Sequence, residues 1–329
     1  MSRSILILGP DLAPDAMALA KRRDIRLVPS KSYPSSDELI ATANAIGAAG
    51  IVVRMGRVGA DVMDAVPTLK IIAKHGVGVD GIDVAAAEVR GIPVVIAGGA
   101  NAQSVAEQAL ALLFGVARST AWLDRRIRTG HWDKASYAGY ELSGKAIGLV
   151  GLGAIGRAFL NLLTPFHMTV RLYDPFLRDD DVPTGVTRVT SVEDLLSTSD
   201  IVSLHCPLTS DNRGMIDAAA LGRMKRTAIL INTARGELVD QDALVDALRD
   251  RTIFGAGLDT FSPEPPPVDS PLWAFDTLVV SPHVGANTHE ARSRVGVSDV
   301  EQIADFLDSG QLDARNCVNR VAAGVQTAA

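Results

Sequence analysis

The stretch KAIGLVGLGAIGRAF, residues 145–159, sets Gly151, Gly153 and Gly156 in the spacing GxGxxG. Glycine is common in turns, so the spacing alone says little. Here it follows an apolar run, AIGLV, and opens a helical one, the strand–turn–helix context in which such a loop cradles a pyrophosphate. The first glycine makes the tight turn, the second lets backbone approach the phosphates, and the third lets helix and strand pack closely. The helix N-terminus then supplies N–H donors and partial positive charge. The next apolar run, TVRLYDP, places Asp174 about twenty residues further on, at a strand end. A carboxylate there accepts hydrogen bonds from both ribose hydroxyls and repels a 2′-phosphate. Pro175 and Phe176 follow with no immediate Arg, so the pattern favours NAD over NADP. The competing reading is a packing turn beside a surface Asp.

On both sides of this turn the chain alternates short β-rich runs with helical stretches, which predicts parallel sheets with helical crossovers. Upstream, SILIL (4–8), IRLV (25–28), IVV (51–53), LKIIA (69–73) and PVVIA (93–97) read as strands, and Asp83 reads as an N-cap before VAAAEVR. Residues 102–127 read as one long, nearly continuous helix. Downstream, AIGLV (146–150), TVRLY (169–173), DIVSLH (200–205), AILIN (228–232), FGAGLD (254–259) and TLVVS (277–281) continue the pattern. A final helix is expected with Asn287 at its cap and Glu290 three residues later. The expected fold is α/β, two doubly wound parallel-sheet domains. Residues 1–100 and 287–329 form one, and residues 101–286 the other.

Composition narrows the function classes. The 329 residues are 47% hydrophobic and carry a formal charge of −6, with no basic stripe, which argues against nucleic acid and anionic membrane as partners. Cys206 and Cys317, the only cysteines, form no metal-type spacing, so no metal site is expected and a reducing cytoplasm fits best. No apolar run approaches the roughly 18 residues of a membrane span, and the N-terminal stretch is too short for a signal peptide.

Three polar residues each follow a predicted strand of the second sheet: Arg235 in LINTARGELVD, Glu264 in GLDTFSPEPPP and His283 in VVSPHVG. Ligands of open α/β sheets collect beyond these strand ends. Arg holds a carboxylate with two parallel hydrogen bonds. His donates a proton to a carbonyl oxygen as hydride arrives. Glu beside the imidazole orients it and raises its pKa. The set suits reduction of a 2-oxo acid; a surface salt-bridge network is the competing reading. His289, in the first turn of the last helix, reads as an exposed bystander.

The segments HGVGVDGID, NAQSVAEQAL, GLGAIG, LHCPLT, INTARGELVD, LDTFSPEP and SPHVGANTHEA, in this order, resemble the D-isomer-specific 2-hydroxyacid dehydrogenase family, in particular its phosphoglycerate dehydrogenase-like branch. The resemblance implies His283 as acid/base, Glu264 as its partner and Arg235 as the substrate-binding residue. It places Ala154 and Ile155 at the pyrophosphate, Asp174 at the adenosine ribose, and Cys206 against the cofactor through its backbone. Thr233, Ala234 and Asp259 would lie along the nicotinamide, with Gly285 and Ala286 walling the pocket beyond His283. It also implies a Rossmann-type NAD-binding domain inserted into a flavodoxin-like substrate domain, a cleft between them, and a homodimer.

On the substrate side, the glycines of KHGVGVD (74–80) let the N–H groups of Val77 and Gly78 approach a carboxylate; a plain turn is the alternative. Arg54 and Lys74 end neighbouring strands, where the resembling family holds a phosphate, although that branch commonly has Arg in place of Lys74. Lys lacks the bidentate fork, so 3-phosphoglycerate, hydroxypyruvate and glyoxylate all stay open. The C-terminal regulatory extension of many such enzymes is not expected, nor is feedback control by serine. Trp122, Trp132 and Tyr137 read as dimer-interface anchors or as intradomain packing. A non-enzyme alternative is an NAD-sensing co-repressor-like protein on the same scaffold. A formate-type dehydrogenase would pair the His with Gln, and Glu264 speaks against it.

Overall fold

The computed structural model describes residues 3–319 and the backbone of residues 327–328. The chain divides into two compact units, Met1–Asn101 with Ala286–Ala329, and Ala102–Gly285.

In the first unit, strands β1 (Ser4–Leu8), β2 (Arg26–Pro29), β3 (Gly50–Val53), β4 (Ile71–Lys74) and β5 (Val94–Ile96) form a parallel sheet in the order β2-β1-β3-β4-β5. Helices α1 (Pro14–Arg22), α2 (Ser36–Ile46), α3 (Ala60–Ala65) and α4 (Val84–Val89) connect them. A strand has period two, so SILIL sends Leu6 and Leu8 into one core cluster with Leu39 and Val62, and Ile5 and Ile7 into another with Ala16 and Ala20. Both faces are therefore covered, as a parallel sheet requires. Asp83 caps α4 by accepting from the Ala86 N–H at 2.9 Å, as its position in the sequence indicates. The strand order reverses between β1 and β3, and ligands of such sheets gather beyond that switch point.

The second unit holds β6 (Ala146–Val150), β7 (Thr169–Tyr173), β8 (Val186–Arg188), β9 (Ile201–Leu204), β10 (Ile229–Asn232), β11 (Gly255–Leu258) and β12 (Leu278–Val280), parallel in the order β12-β11-β10-β9-β6-β7-β8. This is the doubly wound order with its switch point at β6/β9. Its helices are α5 (Ala102–Ala117), α6 (Thr120–Arg128), α7 (Ala154–Leu163), α8 (Val192–Thr198), α9 (Ala218–Arg223) and α10 (Gln241–Arg249). Ile229 and Ile231 face the α5 side, whereas Ala228 and Leu230 join the opposite cluster.

Two sequence expectations need correction, and one strand went unread. The long helix over 102–127 is two helices, because Ser119 takes φ +47 between α5 and α6. No Gly or Pro marks the break. It falls where a helix buried along most of its length gives way to TAWLDRRIR, of which no residue is buried. Strand β8 was not read at all: TGVTRV is a short, polar edge segment with too few apolar positions to show a period. The last helix, α11 (His289–Ser309), is capped by Thr288 and not Asn287. Thr288 is extended and its Oγ1 accepts from the Ala291 N–H at 3.1 Å. Two adjacent cap-competent residues compete there, and backbone conformation decides between them. Residues Val300, Ile303 and Ala304 of α11 pack in the α1-side cluster of the first unit. No helix among the described residues is long and apolar enough to cross a membrane.

Candidate active site

The glycine turn after β6 is built as its spacing suggests. Gly151 adopts φ +93, a conformation that L side chains rarely take, and a Cβ on it would lie 3.0 Å from the Cys206 nitrogen. A Cβ on Gly156 would lie 2.5 Å from the Gly151 carbonyl oxygen, so this residue is glycine for packing. Gly153 differs. A Cβ there would meet nothing within 4 Å, so the protein itself does not require glycine at this position. Gly153 is also the N-cap of α7 and offers no side-chain cap, which leaves the first N–H groups of the helix, at Ala154 and Ile155, to an outside acceptor.

Asp174, at the end of β7, faces this turn: its Oδ2 accepts from the Leu152 N–H at 2.9 Å and its Oδ1 from the Phe176 N–H at 3.0 Å. The overlooked strand β8 brings Arg188 to the same place. Its guanidinium donates to the Asp174 carbonyl at 3.0 Å and pairs with Asp179. Burial pushes the Cys206 thiol up to about 11, with Asp174 adding to the rise. The neighbouring His205 is pushed down to about 4 by burial and shares a 2.9 Å hydrogen bond with Ser203 Oγ, a neutral histidine of the core.

Strands β10, β11 and β12 are neighbours in the sheet, so the turns that follow them sit side by side. After β10, Asn232 fixes the backbone. Its Oδ1 accepts from the Ala234 N–H at 3.0 Å and its Nδ2 donates to the Arg235 carbonyl at 2.8 Å. Thr233 is nearly buried, and its Oγ1 has no hydrogen-bond partner among the described residues. Arg235 donates from Nη1 to the Ala234 carbonyl at 2.7 Å. Gly236, the next residue, is pressed so closely on the Phe261 backbone that a Cβ would lie 2.0 Å from its carbonyl carbon. That contact sets the Arg235 turn against the loop carrying Glu264.

Glu264 and His283 form a direct pair, Nδ1 to Oε2, at 2.8 Å, and Glu264 Oε1 accepts from the Phe261 N–H at 2.9 Å. The carboxylate raises the His283 pKa above its ordinary value, chiefly through that hydrogen bond. Burial opposes the rise, the charges of Glu264 and Asp259 support it, and Arg235 opposes it. For Glu264 burial acts upward, but His283, the Phe261 N–H and Arg235 together hold its pKa below the usual value. Arg235 therefore acts electrostatically on both members of the pair.

His283 has φ +52, uncommon outside glycine, and its N–H is held by the Asp259 carbonyl at 2.8 Å and the Ser281 carbonyl at 3.0 Å. Buried Asp259 anchors the rest of the turn. Oδ1 accepts from Ser281 Oγ at 2.5 Å and from the Val284 N–H at 3.0 Å, and Oδ2 accepts from the Gly285 N–H at 2.8 Å. From α5, Ser104 Oγ donates to the Gly285 carbonyl at 2.5 Å, and Gln108 Nε2 donates to Ser281 Oγ at 2.8 Å. Ser104, Gln108, Ser281 and Gly236 were not singled out in the sequence. Ser104 and Gln108 lie one helical turn apart in NAQSVAEQAL, a spacing that signals a shared face but not what it holds. Ala286 lies in the other unit.

The remaining sequence-derived residues belong to the first unit. Arg54, at the end of β3, donates from Nη1 to the carbonyls of Pro10 at 2.6 Å and Asp11 at 2.7 Å, beyond β1. Lys74 donates to the carbonyls of Val53 and Arg54 at 3.2 and 3.3 Å. Val77 and Gly78 lie in the turn that follows β4, and their N–H groups have no acceptor among the described residues.

Together these features describe a dinucleotide-binding domain with a hydrogen-bonded histidine–carboxylate pair beyond its strands. The profile of the D-isomer specific 2-hydroxyacid dehydrogenase, NAD binding domain, matches residues 110–285. The chain is 42% identical over 278 residues to a glyoxylate reductase of Thermofilum pendens, covering 83% of this chain and 82% of that protein. It is 39% identical over 305 residues to a D-3-phosphoglycerate dehydrogenase of Mycobacterium bovis, covering 92% of this chain but 57% of the relative, so it spans little more than half of that protein's length. A crystal structure of a Thermus thermophilus protein superposes with a TM-score of 0.87 at 35% identity, covering 96% of this chain and 99% of that one. The chain belongs to the D-isomer-specific 2-hydroxyacid dehydrogenase family.

Proposed function

We propose that the chain is an NAD-dependent dehydrogenase interconverting a small 2-oxo acid and its D-2-hydroxy acid, acting in the cytoplasm as a homodimer. The hydrogen-bonded pair of His283 and Glu264, within electrostatic reach of Arg235, carries this reading. The cofactor fits this chain's own residues: the space beside Gly153, the uncapped start of α7, and the Thr233 hydroxyl, which has no hydrogen-bond partner among the described residues, suit such a group. The turn Gly151–Gly156 with Ala154 and Ile155 would hold the pyrophosphate, Asp174 the adenosine ribose, and the Cys206 backbone the strand-end side. Thr233, Ala234, Asp259, Gly285 and Ala286 would frame the nicotinamide.

Bound NADH supplies the hydride to C2 of the oxo acid. Arg235 binds the substrate carboxylate. His283, as imidazolium, gives its Nε2 proton to the carbonyl oxygen, which takes up the electron pair released from the C=O bond. Glu264 stabilises the imidazolium before transfer and keeps Nε2 as the transferring nitrogen. In the reverse direction neutral His283 takes the hydroxyl proton. Val77 and Gly78 would hold the carboxylate through their N–H groups.

Glyoxylate or hydroxypyruvate suits the site better than a phosphorylated acid. Arg54 and Lys74 each donate to two backbone carbonyls, so part of the donor capacity of both cations is already used within the protein. The glyoxylate reductase, matched over most of both chains, supports the same choice. For the dimer, Trp132 is 78% exposed, and Trp122 stacks on Tyr137 under the Arg126 guanidinium, an aromatic surface of the kind that anchors interfaces. Two free cysteines agree with a reducing compartment.

The test is oxidation of NADH and NADPH across a panel of 2-oxo acids. Turnover with NADH, about tenfold preferred over NADPH, is expected, since Arg188 is already engaged by Asp179. No turnover on any acid would refute the assignment, and an NADPH preference would give Arg188 the role assigned to Asp174. A second expectation separates cofactor from fold. Gly153→Val should leave the melting temperature nearly unchanged yet weaken NADH binding at least tenfold, read by fluorescence titration. An equal loss of stability would mean that the glycine serves the protein alone.

A further inference from the structure

A second histidine–carboxylate pair lies in the first unit and has no part in the chemistry assigned above. His75, immediately after β4, places Nδ1 2.6 Å from Oδ2 of Asp299 on α11. Asp299 is wholly buried, and its Oδ1 has no hydrogen-bond partner among the described residues. A Cβ on Gly296, one turn earlier on α11, would lie 3.8 Å from His75 Cε1, so the Nδ1–Cε1 side of the ring is turned to the helix. Nε2 has no partner among the described residues. Burial raises the Asp299 pKa, while the His75 hydrogen bond and the charges of His75, Lys74 and Arg54 oppose the rise. Arg292 and Asp11 are the further charges that act on Arg54.

As a structural device this pair is a poor choice. A carboxylate oxygen left without a partner in the core costs about 1–3 kcal/mol, and a buried ion pair is often no more stabilising than apolar residues of similar volume. Its place in the sheet gives a reason to keep it. His75 opens the turn containing Val77 and Gly78, whose N–H groups themselves have no acceptor among the described residues. That turn follows β4, next to β3 and Arg54, at the strand ends where ligands of such a sheet gather.

We infer that His75, oriented by Asp299, is a substrate-binding residue that donates Nε2–H to the carboxylate of the 2-oxo acid alongside the N–H groups of Val77 and Gly78. This rests on the dehydrogenase reading and assigns the chain a further hydrogen-bond donor for the substrate carboxylate. Asp299 is a positioning residue, acting only through His75. As with Glu264 and His283, a carboxyl group at Nδ1 orients the ring and leaves Nε2 to the ligand, here for binding and not for proton transfer.

The deciding experiment compares the wild type with His75→Gln and with the double variant His75→Leu/Asp299→Leu. The double variant removes the buried charge together with its partner, so it should melt at or above the wild-type temperature. Its KM for glyoxylate should nevertheless rise about tenfold, with kcat within about twofold and NADH affinity unchanged. His75→Gln should raise KM in the same direction and serves if the double variant fails to fold. Folded variants with wild-type KM would overturn the inference. So would a KM increase for 3-phosphohydroxypyruvate that spares glyoxylate, because the group recognised would then be a phosphate. Calorimetric titration with oxalate keeps the two readings apart. If the wild type reduces no 2-oxo acid, the dehydrogenase reading fails, and oxalate binding equal in wild type and variants would separately dispose of His75.

Discussion

Replacing His283 with Asn is expected to lower kcat/KM for glyoxylate reduction by roughly a thousandfold, within the usual range for loss of a general acid. NADH affinity should stay the same, because the loss concerns proton delivery. The partner residue gives a sharper signature. Glu264 holds the His283 pKa above its ordinary value. Reduction needs the imidazolium, so the rate is level at low pH and falls as pH rises through that pKa. In Glu264→Gln the support is gone and the fall moves to lower pH. Oxidation needs neutral imidazole, so its rise with pH moves to lower pH as well. Steady-state pH profiles in both directions check this, and an unshifted profile in Glu264→Gln would remove Glu264 from the proton chemistry.

Gly236→Ala should be the most damaging single methyl group in the second unit. The added Cβ would lie 2.0 Å from the Phe261 carbonyl carbon and 2.1 Å from its oxygen, both backbone atoms that no rotamer change can move. Separating the two loops would cost about 3 kcal/mol, the upper part of the range for overpacking. It would also move Arg235 relative to Glu264, whose Oε1 is bonded to the Phe261 N–H. Denaturant unfolding should show the stability loss, and kcat should fall in the fraction that remains folded. A near-wild-type melt with full activity would show that the loops are free to part.

Much of this was legible in residue order because its physics is local. The continuous burial of SILIL and AILIN, the context of the glycine turn, and Asp83 as a cap all depend on neighbours a few positions away. The three strand-end residues, Arg235, Glu264 and His283, were legible for a different reason: in a parallel sheet every ligand-facing turn follows a strand, so chemistry can be read from what comes next. The break at Ser119 escaped because its cause is a change in burial, not a breaker residue. Strand β8 escaped because an edge strand needs little apolar pattern, and with it went the position of Arg188 beside Asp174.

By itself, then, the sequence determined the layering of the chain, the glycine turn and the identity of the histidine to watch, since each follows from local periodicity or from spacing along one strand and its turn. Only the tertiary structure decided what holds those groups: Asp259, Ser104 and Gln108 under the His283 turn, Gly236 against Phe261, and Asp299 behind His75. Each of these contacts joins residues far apart along the chain. A hydrogen bond or a steric clash depends on distance in space, which spacing along the chain does not encode.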